Sequence, residues 1–208
     1  MDFMYYYDDM EVDKSQSGFT KVPPMNDRTH LIAYKMKTAL TSLLHKAVSL
    51  SDAKSDLYGE VGDIDVKVLM HSLPSKLLMN TAKLFGASIK GTVDENTIID
   101  IVAYSFYIYR IVSVEHYRNI DQILNNAYNI IHQRHYEYNS ADLVYDRLSM
   151  SDIASMVHIK AMRIKNLFNI LDKTKDDMDI EKVKHSVSDS IYDLMIYTTM
   201  AFLKLHHM

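Results

Sequence analysis

The chain contains no cysteine. That excludes a disulfide framework, a thiolate nucleophile and a Cys-ligated zinc, and it is compatible with a reducing compartment, so the cytoplasm is the expected location. Only five glycines and three prolines interrupt 208 residues. A strand-rich design needs more turns than these can supply, and the class expected is all-α. Glycine-rich phosphate loops, dinucleotide-binding glycine patterns and a serine nucleophile elbow are also missing. The opening stretch MDFMYYYDDMEVDK has no basic region followed by an apolar one, so no secretory signal is read there. Basic residues are not in surplus: the formal net charge is −4, which argues against a general nucleic-acid binder, because phosphate neutralisation needs Lys and Arg in excess. The greasiest run, Ile98 to Val114, carries Asp100, Tyr104, Tyr107, Tyr109 and Arg110, which marks a buried helix rather than a membrane span. His132 and His135 are three apart on a predicted helix but lack a third metal ligand.

What the chain does have is a hydrophobic content of 48 % with 24 % charged residues, ordinary for a globular protein that buries a sizeable core. Charge is unevenly placed. Asp2, Asp8, Asp9, Glu11 and Asp13 all precede the first basic residue, Lys14, and the remainder is close to neutral. Residues 1–27 read as an acidic arm bounded by SQSG and Pro23-Pro24. Its Phe3, Tyr5, Tyr6 and Tyr7 are expected to dock, on the protein's own core in preference to a partner subunit.

Two stretches resemble one another. TIIDIVAY at 97–104 and SIYDLMIY at 190–197 share a hydroxyl residue, an Asp three positions on and a Tyr four beyond that, and each opens a long apolar run. The elements before them recur in order. Leu31, Met36, Leu40, Leu43, Leu44 and Ala47 follow helical spacing in the first half, as do Ile123, Leu124, Ala127, Ile130 and Ile131 in the second. Second helices follow, through Leu69, Leu73, Leu77 and Leu84 and through Ile153, Val157, Ala161, Ile164, Phe168 and Leu171. Pro74 is expected to divide the earlier one, and Gly86 with Gly91 to end it. Asp94 and Ser151 are the predicted caps of the helices they precede, and the final helix is expected to open at Ser188. The pattern predicts a helical bundle of two tandem three-helix repeats, 28–116 and 117–208, with the two Asp-bearing helices central.

Residues four apart share a helix face, so Asp189 and Asp193 are expected side by side, with Asn96, Asp100 and nearby Glu95 in the first half. Paired carboxylates in apolar surroundings repel unless a proton or divalent cation intervenes, which makes them candidate magnesium ligands. A place in the first helical turn would stabilise Asp189 without metal. The polar loops offer companions: Glu60, Asp63 and Asp65, then Glu137, Asp142, Asp146 and Asp152. Lys160 and Arg163 have the spacing to meet a phosphate or an opposing Asp.

The polar loops Asp56-Leu57-Tyr58-Gly59 and Glu137-Tyr138-Asn139, followed by SDIASMVHIKAMRIKNL and SDSIYDLMIY, resemble the nucleotide-modification-associated helical domain of phage and bacterial proteins. The chain is more distantly similar to the MazG-like all-α nucleoside triphosphate pyrophosphohydrolases, with the clearer match over residues 120–205. In those enzymes, carboxylates from adjacent helices hold magnesium on the triphosphate and a water releases pyrophosphate. The resemblance therefore implies magnesium as cofactor and a nucleotide as ligand. Asp100 and Asp193 face the metal, joined by Asp189 through its spacing, Lys160 and Arg163 lie near phosphate, and Glu95 or Glu60 assists as ligand or base. Where those enzymes place a Glu three residues before the Asp, this chain has Thr97 and Ser190. That substitution points to a second reading, a catalytically silent helical interaction or scaffolding protein. Pairing into a homodimer suits either.

Overall fold

Three of the helices begin where a side-chain oxygen is available to take up their free N–H groups. Asp94 accepts from the Thr97 amide at 2.9 Å and the Thr97 hydroxyl at 2.7 Å, and α3 (Glu95–Val112) follows it. Asp176 accepts from the amides of Met178 and Asp179 and opens α6 (Asp177–Leu205). Ser149 and Asp152 exchange bonds in a capping box that opens α5 (Met150–Leu171). The computed structural model describes residues 27–58, 66–112, 120–138 and 147–207. Among them the remaining elements are α1 (Asp27–Tyr58), α2 (Val66–Lys90) and α4 (Ile120–Tyr138), so the described residues form an all-α assembly of six helices without strands.

Several predicted boundaries shift, each for a physical reason. The cap of α5 is Ser149 rather than Ser151, because only Ser149 stands three residues before a carboxylate that returns the bond; the Ser151 hydroxyl rests 2.9 Å from that of Ser149. α2 is not divided at Pro74 but runs through it. Proline removes one helical hydrogen bond and crowds the preceding turn, yet Pro74 is buried with Leu73 and Leu77 in the face that α2 lays against its neighbours, and that packing holds the helix continuous. Gly86 does not end α2 either; the helix stops one turn later at Gly91. There φ is +67°, the Gly91 amide bonds the Ser88 carbonyl, and the Thr92 amide bonds that of Ala87 at 3.0 Å. α6 opens eleven residues before Ser188, at Asp177, since Asp176 outcompetes any later cap.

Packing follows the apolar stripes. From Ser190 to Leu203 nearly every residue of α6 is buried, and the helix touches α5, α3, α1 and the flank of α4. α3 is next most enclosed, against α1, α2 and α6. α5 and α2 pack on each other, and α1 packs on α4. Leu43, Leu44, Leu77, Leu84, Ile98, Ile101, Ile153 and Ile164 lose essentially all contact with solvent, and these large aliphatic side chains supply the main driving force for assembly. No helix among the described residues is long and apolar enough to cross a membrane.

The two described glycines test the backbone account in opposite directions. A Cβ at Gly86 would meet nothing within 4 Å inside a helix, so Gly86→Ala is expected to stabilise by roughly 0.5–1 kcal/mol and raise the melting temperature. Gly91→Ala places a Cβ on a left-handed residue and is expected to cost about 1–2 kcal/mol. Thermal unfolding of both variants checks the pair; equal shifts would contradict the geometry.

Candidate functional site

α6 places Asp193 where a carboxylate is costly. The residue is only 7 % exposed, between Tyr192 and Leu194 in a run that is buried on both sides. Its Oδ2 accepts from Lys160 Nζ on α5 at 2.7 Å. Four carbons of the lysine stem lead from α5 to the contact, and both charged groups are largely withdrawn from water, with side-chain exposures of 23 % for Lys160 and 10 % for Asp193. The amphipathic stripe of α5 fixes this placement: with Val157, Ala161 and Ile164 on the core side, Lys160 falls on the flank facing α6. A short, charge-assisted bond is what such a carboxylate needs to remain ionised inside a helix bundle.

The other residues singled out by sequence are dispersed around this pair. Asp189, one turn before Asp193, is exposed and lies 3.2 Å from His185 on its own helix. It sits in the fourth turn of α6 rather than the first, so the helix N-terminus does not stabilise it. Asp100 is half-buried on α3, near enough that its charge, after burial, helps push the Tyr104 hydroxyl pKa up. Arg163 is exposed on α5. Glu95 takes part in a separate cluster: one carboxylate oxygen pairs with Lys46 of α1 and the other lies 3.2 Å from His206, at the end of α6. The hydrogen bond from Lys46 is the main cause that holds its carboxyl below the usual glutamate range. Phe202 backs the cluster, 4.5 Å from the His206 ring and 5.8 Å from Lys46 Nζ. Asp152 is engaged in the α5 capping box, where the Ser149 hydroxyl lowers its pKa. Glu60, Asp63, Asp65, Asp142 and Asp146, and the side chains of His132, His135 and Glu137, lie outside the described residues. Among the described residues, no three His, Asp or Glu side chains converge closely enough to hold a metal ion.

Two polar contacts escape a single-sequence reading. Tyr192 of α6 donates to the Tyr109 hydroxyl of α3 at 2.9 Å and accepts from Asn126 of α4 at 3.0 Å, a chain that ties three helices together. Burial, then the bond to Tyr109, raise the Tyr192 pKa far above that of a free phenol. Between α2 and α5, His158 Nδ1 lies 3.0 Å from the Thr81 hydroxyl, and its ring stacks on Phe85. The Thr81 hydroxyl also lies 2.9 Å from the Leu78 carbonyl, which only accepts, so a proton on His158 Nδ1 would satisfy both contacts at once. The only sequence clue to either contact was a polar residue at a core position of a helical stripe, and that does not name the partner.

Compared with known proteins, the chain matches no family model, no curated protein and no solved structure.

Replacing Lys160 with Met removes the cationic partner of a carboxylate that stays largely buried. Lys160→Met is expected to destabilise by about 1–3 kcal/mol, and adding Asp193→Leu should recover part of the loss, which a double-mutant cycle in urea measures directly. A purely additive cycle would contradict the pairing. For Glu95, the depressed folded pKa means stability that is present above about pH 5 and lost as the pH falls through the folded value. Glu95→Gln is therefore expected to flatten the fall in melting temperature between about pH 5 and pH 3; an unchanged slope would remove Glu95 from the account.

Proposed function

We propose that the protein is a helical interaction or scaffolding module in which the Asp-bearing helix serves assembly rather than turnover. The observation that carries this reading is the Lys160–Asp193 pair: the most deeply placed of the described candidate carboxylates is already matched by an ammonium at 2.7 Å. A magnesium ion needs several hard oxygen ligands, and at Asp193 it would have to displace a lysine that the packing of α5 on α6 holds in place. Asp189 and Glu95 are engaged with His185, Lys46 and His206. Thr97 and Ser190, which stand where the pyrophosphohydrolases carry Glu, spend their hydroxyls on Asp94 and on the Ser186 carbonyl.

The tandem duplication belongs to the same proposal. Its support is that the three pairs of helices expected to correspond, α1 with α4, α2 with α5 and α3 with α6, each pack on one another, as elements related by a two-fold axis would. A module built from two such halves buries its apolar faces internally and leaves its outer surfaces for partners.

The magnesium-dependent nucleoside triphosphate pyrophosphohydrolase reading keeps one specific support: Lys160 and Asp193, assigned by sequence to phosphate and metal, are brought together in space. Pyrophosphate release from a panel of ribo- and deoxyribonucleoside triphosphates, with magnesium or manganese and an EDTA control, separates the two. The module reading expects no metal-dependent release and no rise in melting temperature at millimolar magnesium, since binding linkage would raise it if a site formed. Metal-dependent release that Asp193→Asn abolishes would overturn it.

A further inference from the structure

The outer surface of the α2–α5 layer combines two features. First, it exposes large apolar side chains. On α5, Ile159, Met162 and Ile170 are each close to half exposed, at 49, 47 and 49 %. Helical spacing puts them opposite the buried Ile153, Val157, Ile164 and Phe168, so they are not margins of the core. On α2, Met79 is 71 % exposed and Ile89 66 %. Second, it is basic. The described side chains of α2 include Lys76, Lys83 and Lys90 and not one carboxylate, and α5 sets Arg163 and Lys165 against Asp152 alone, its Lys160 being taken up by Asp193. Lys76, Lys83 and Lys90, all exposed, recur at seven-residue spacing and so line one side of α2. Lys83 has Asp94 at 3.8 Å, and His71 has Asp172 at 3.6 Å; no carboxylate among the described residues pairs with Lys76, Lys90 or Arg163. The His71–Asp172 and Thr81–His158 contacts run the two helices antiparallel, and helical spacing sets Lys76, Lys83 and Lys90 on the flank of α2 turned away from α5, so the basic residues border the exposed apolar ones.

A basic face studded with Ile and Met calls for an acidic segment carrying aromatic side chains, since aromatic rings pack well on thioethers and carboxylates pair with Lys and Arg. The chain holds one stretch of that composition. Residues 1–13, outside the described residues, are MDFMYYYDDMEVD: five carboxylates, no Lys or Arg, and Phe3, Tyr5, Tyr6 and Tyr7. Thirteen further residues precede α1 at Asp27. Extended, they reach about 40 Å, several times the roughly 10 Å between packed helices, so the segment can reach α2 and α5 although α1 packs on α3, α4 and α6 instead. We infer that the outer face of α2 and α5 is the seat of the chain's own residues 1–13, an internal ligand that an acidic, aromatic-bearing partner would displace. The inference rests on the interaction-module reading for its purpose but not for its geometry.

The test uses the full chain with Tyr6 replaced by the photocrosslinker benzoylphenylalanine. After irradiation, the monomer-mass species is digested and the joined peptides are identified by mass spectrometry. Crosslinks within one chain to residues of α2 or α5 are expected, with yield falling about fivefold in a Lys76→Glu, Arg163→Glu double variant, the loss of two exposed charge pairs. Both positions are exposed, and circular dichroism confirms that the double variant keeps its helices. Crosslinks confined to other helices, crosslinks found only between chains, or no yield above that of the unirradiated sample would each overturn the proposal. The same preparation is assayed for pyrophosphate release: release together with the expected crosslinks overturns the module reading alone, whereas silence without them overturns only the docking.

Discussion

Everything in this bundle answers to the burial of α6. From Ser190 to Leu203 the helix is enclosed by α5, α3, α1 and α4, so a polar atom on it must find its partner inside the protein or lose its hydrogen bonds to water. The solutions differ with the size of the group. Ser190, Thr198 and Thr199 turn their hydroxyls back onto the carbonyls of Ser186, Leu194 and Met195, one turn earlier. The phenol of Tyr192 is too far from its own backbone for that, and it engages Tyr109 and Asn126 on two other helices. Asp193 carries a full charge, and it draws Lys160 across from α5. Local groups are satisfied locally; larger and charged ones fix the relation of one helix to the next.

That distinction explains which parts of the architecture were legible in the sequence. Helical periodicity at Leu40, Leu43 and Leu44, or at Ile153, Val157 and Ile164, is a local property, and it identified the helices and the residues that form the core. Asp94 acts on a donor three residues away, and its cap was likewise legible. The boundaries that moved depended on competition: Asp176 against Ser188, Ser149 against Ser151, the packing of α2 against the penalty at Pro74. No single residue announces the winner of such a contest. The site was harder still. Spacing put Asp189 and Asp193 on neighbouring positions of one helix, but one turn separates an exposed carboxylate beside His185 from one enclosed by α5. Which of two neighbours is buried depends on the neighbouring helix, and a single stretch of sequence does not contain it.

The two occurrences of the Asp-containing octet illustrate how far one pattern can be turned to different surroundings. In TIIDIVAY, Thr97 is tied to the cap of its helix, and Asp100, half-buried, acts on Tyr104 through its charge. In SIYDLMIY, the helix has begun four turns earlier, Ser190 bonds back to Ser186, and Asp193 is sealed against Lys160. The helix start thus decides what the hydroxyl does, since only a residue in the first turn has a capping side chain within reach.

A buried ion pair is weak ground for stability, because desolvation of both partners offsets most of their attraction, but it is stronger ground for specificity. A purely aliphatic contact between α5 and α6 would tolerate sliding by a turn, since Ile, Leu and Met stripes look alike at each repeat. Lys160 and Asp193 narrow the choice, because a one-turn slip of either helix parts this ammonium from this carboxylate. The same reasoning applies to Tyr109, Asn126 and Tyr192 among α3, α4 and α6. With Thr81 and His158 doing likewise between α2 and α5, the polar contacts favour one register at four of the helix junctions. On this view, polar residues in the greasiest helix set the register of a bundle whose hydrophobic stripes alone leave it undetermined, and their presence there needs no reaction to explain it.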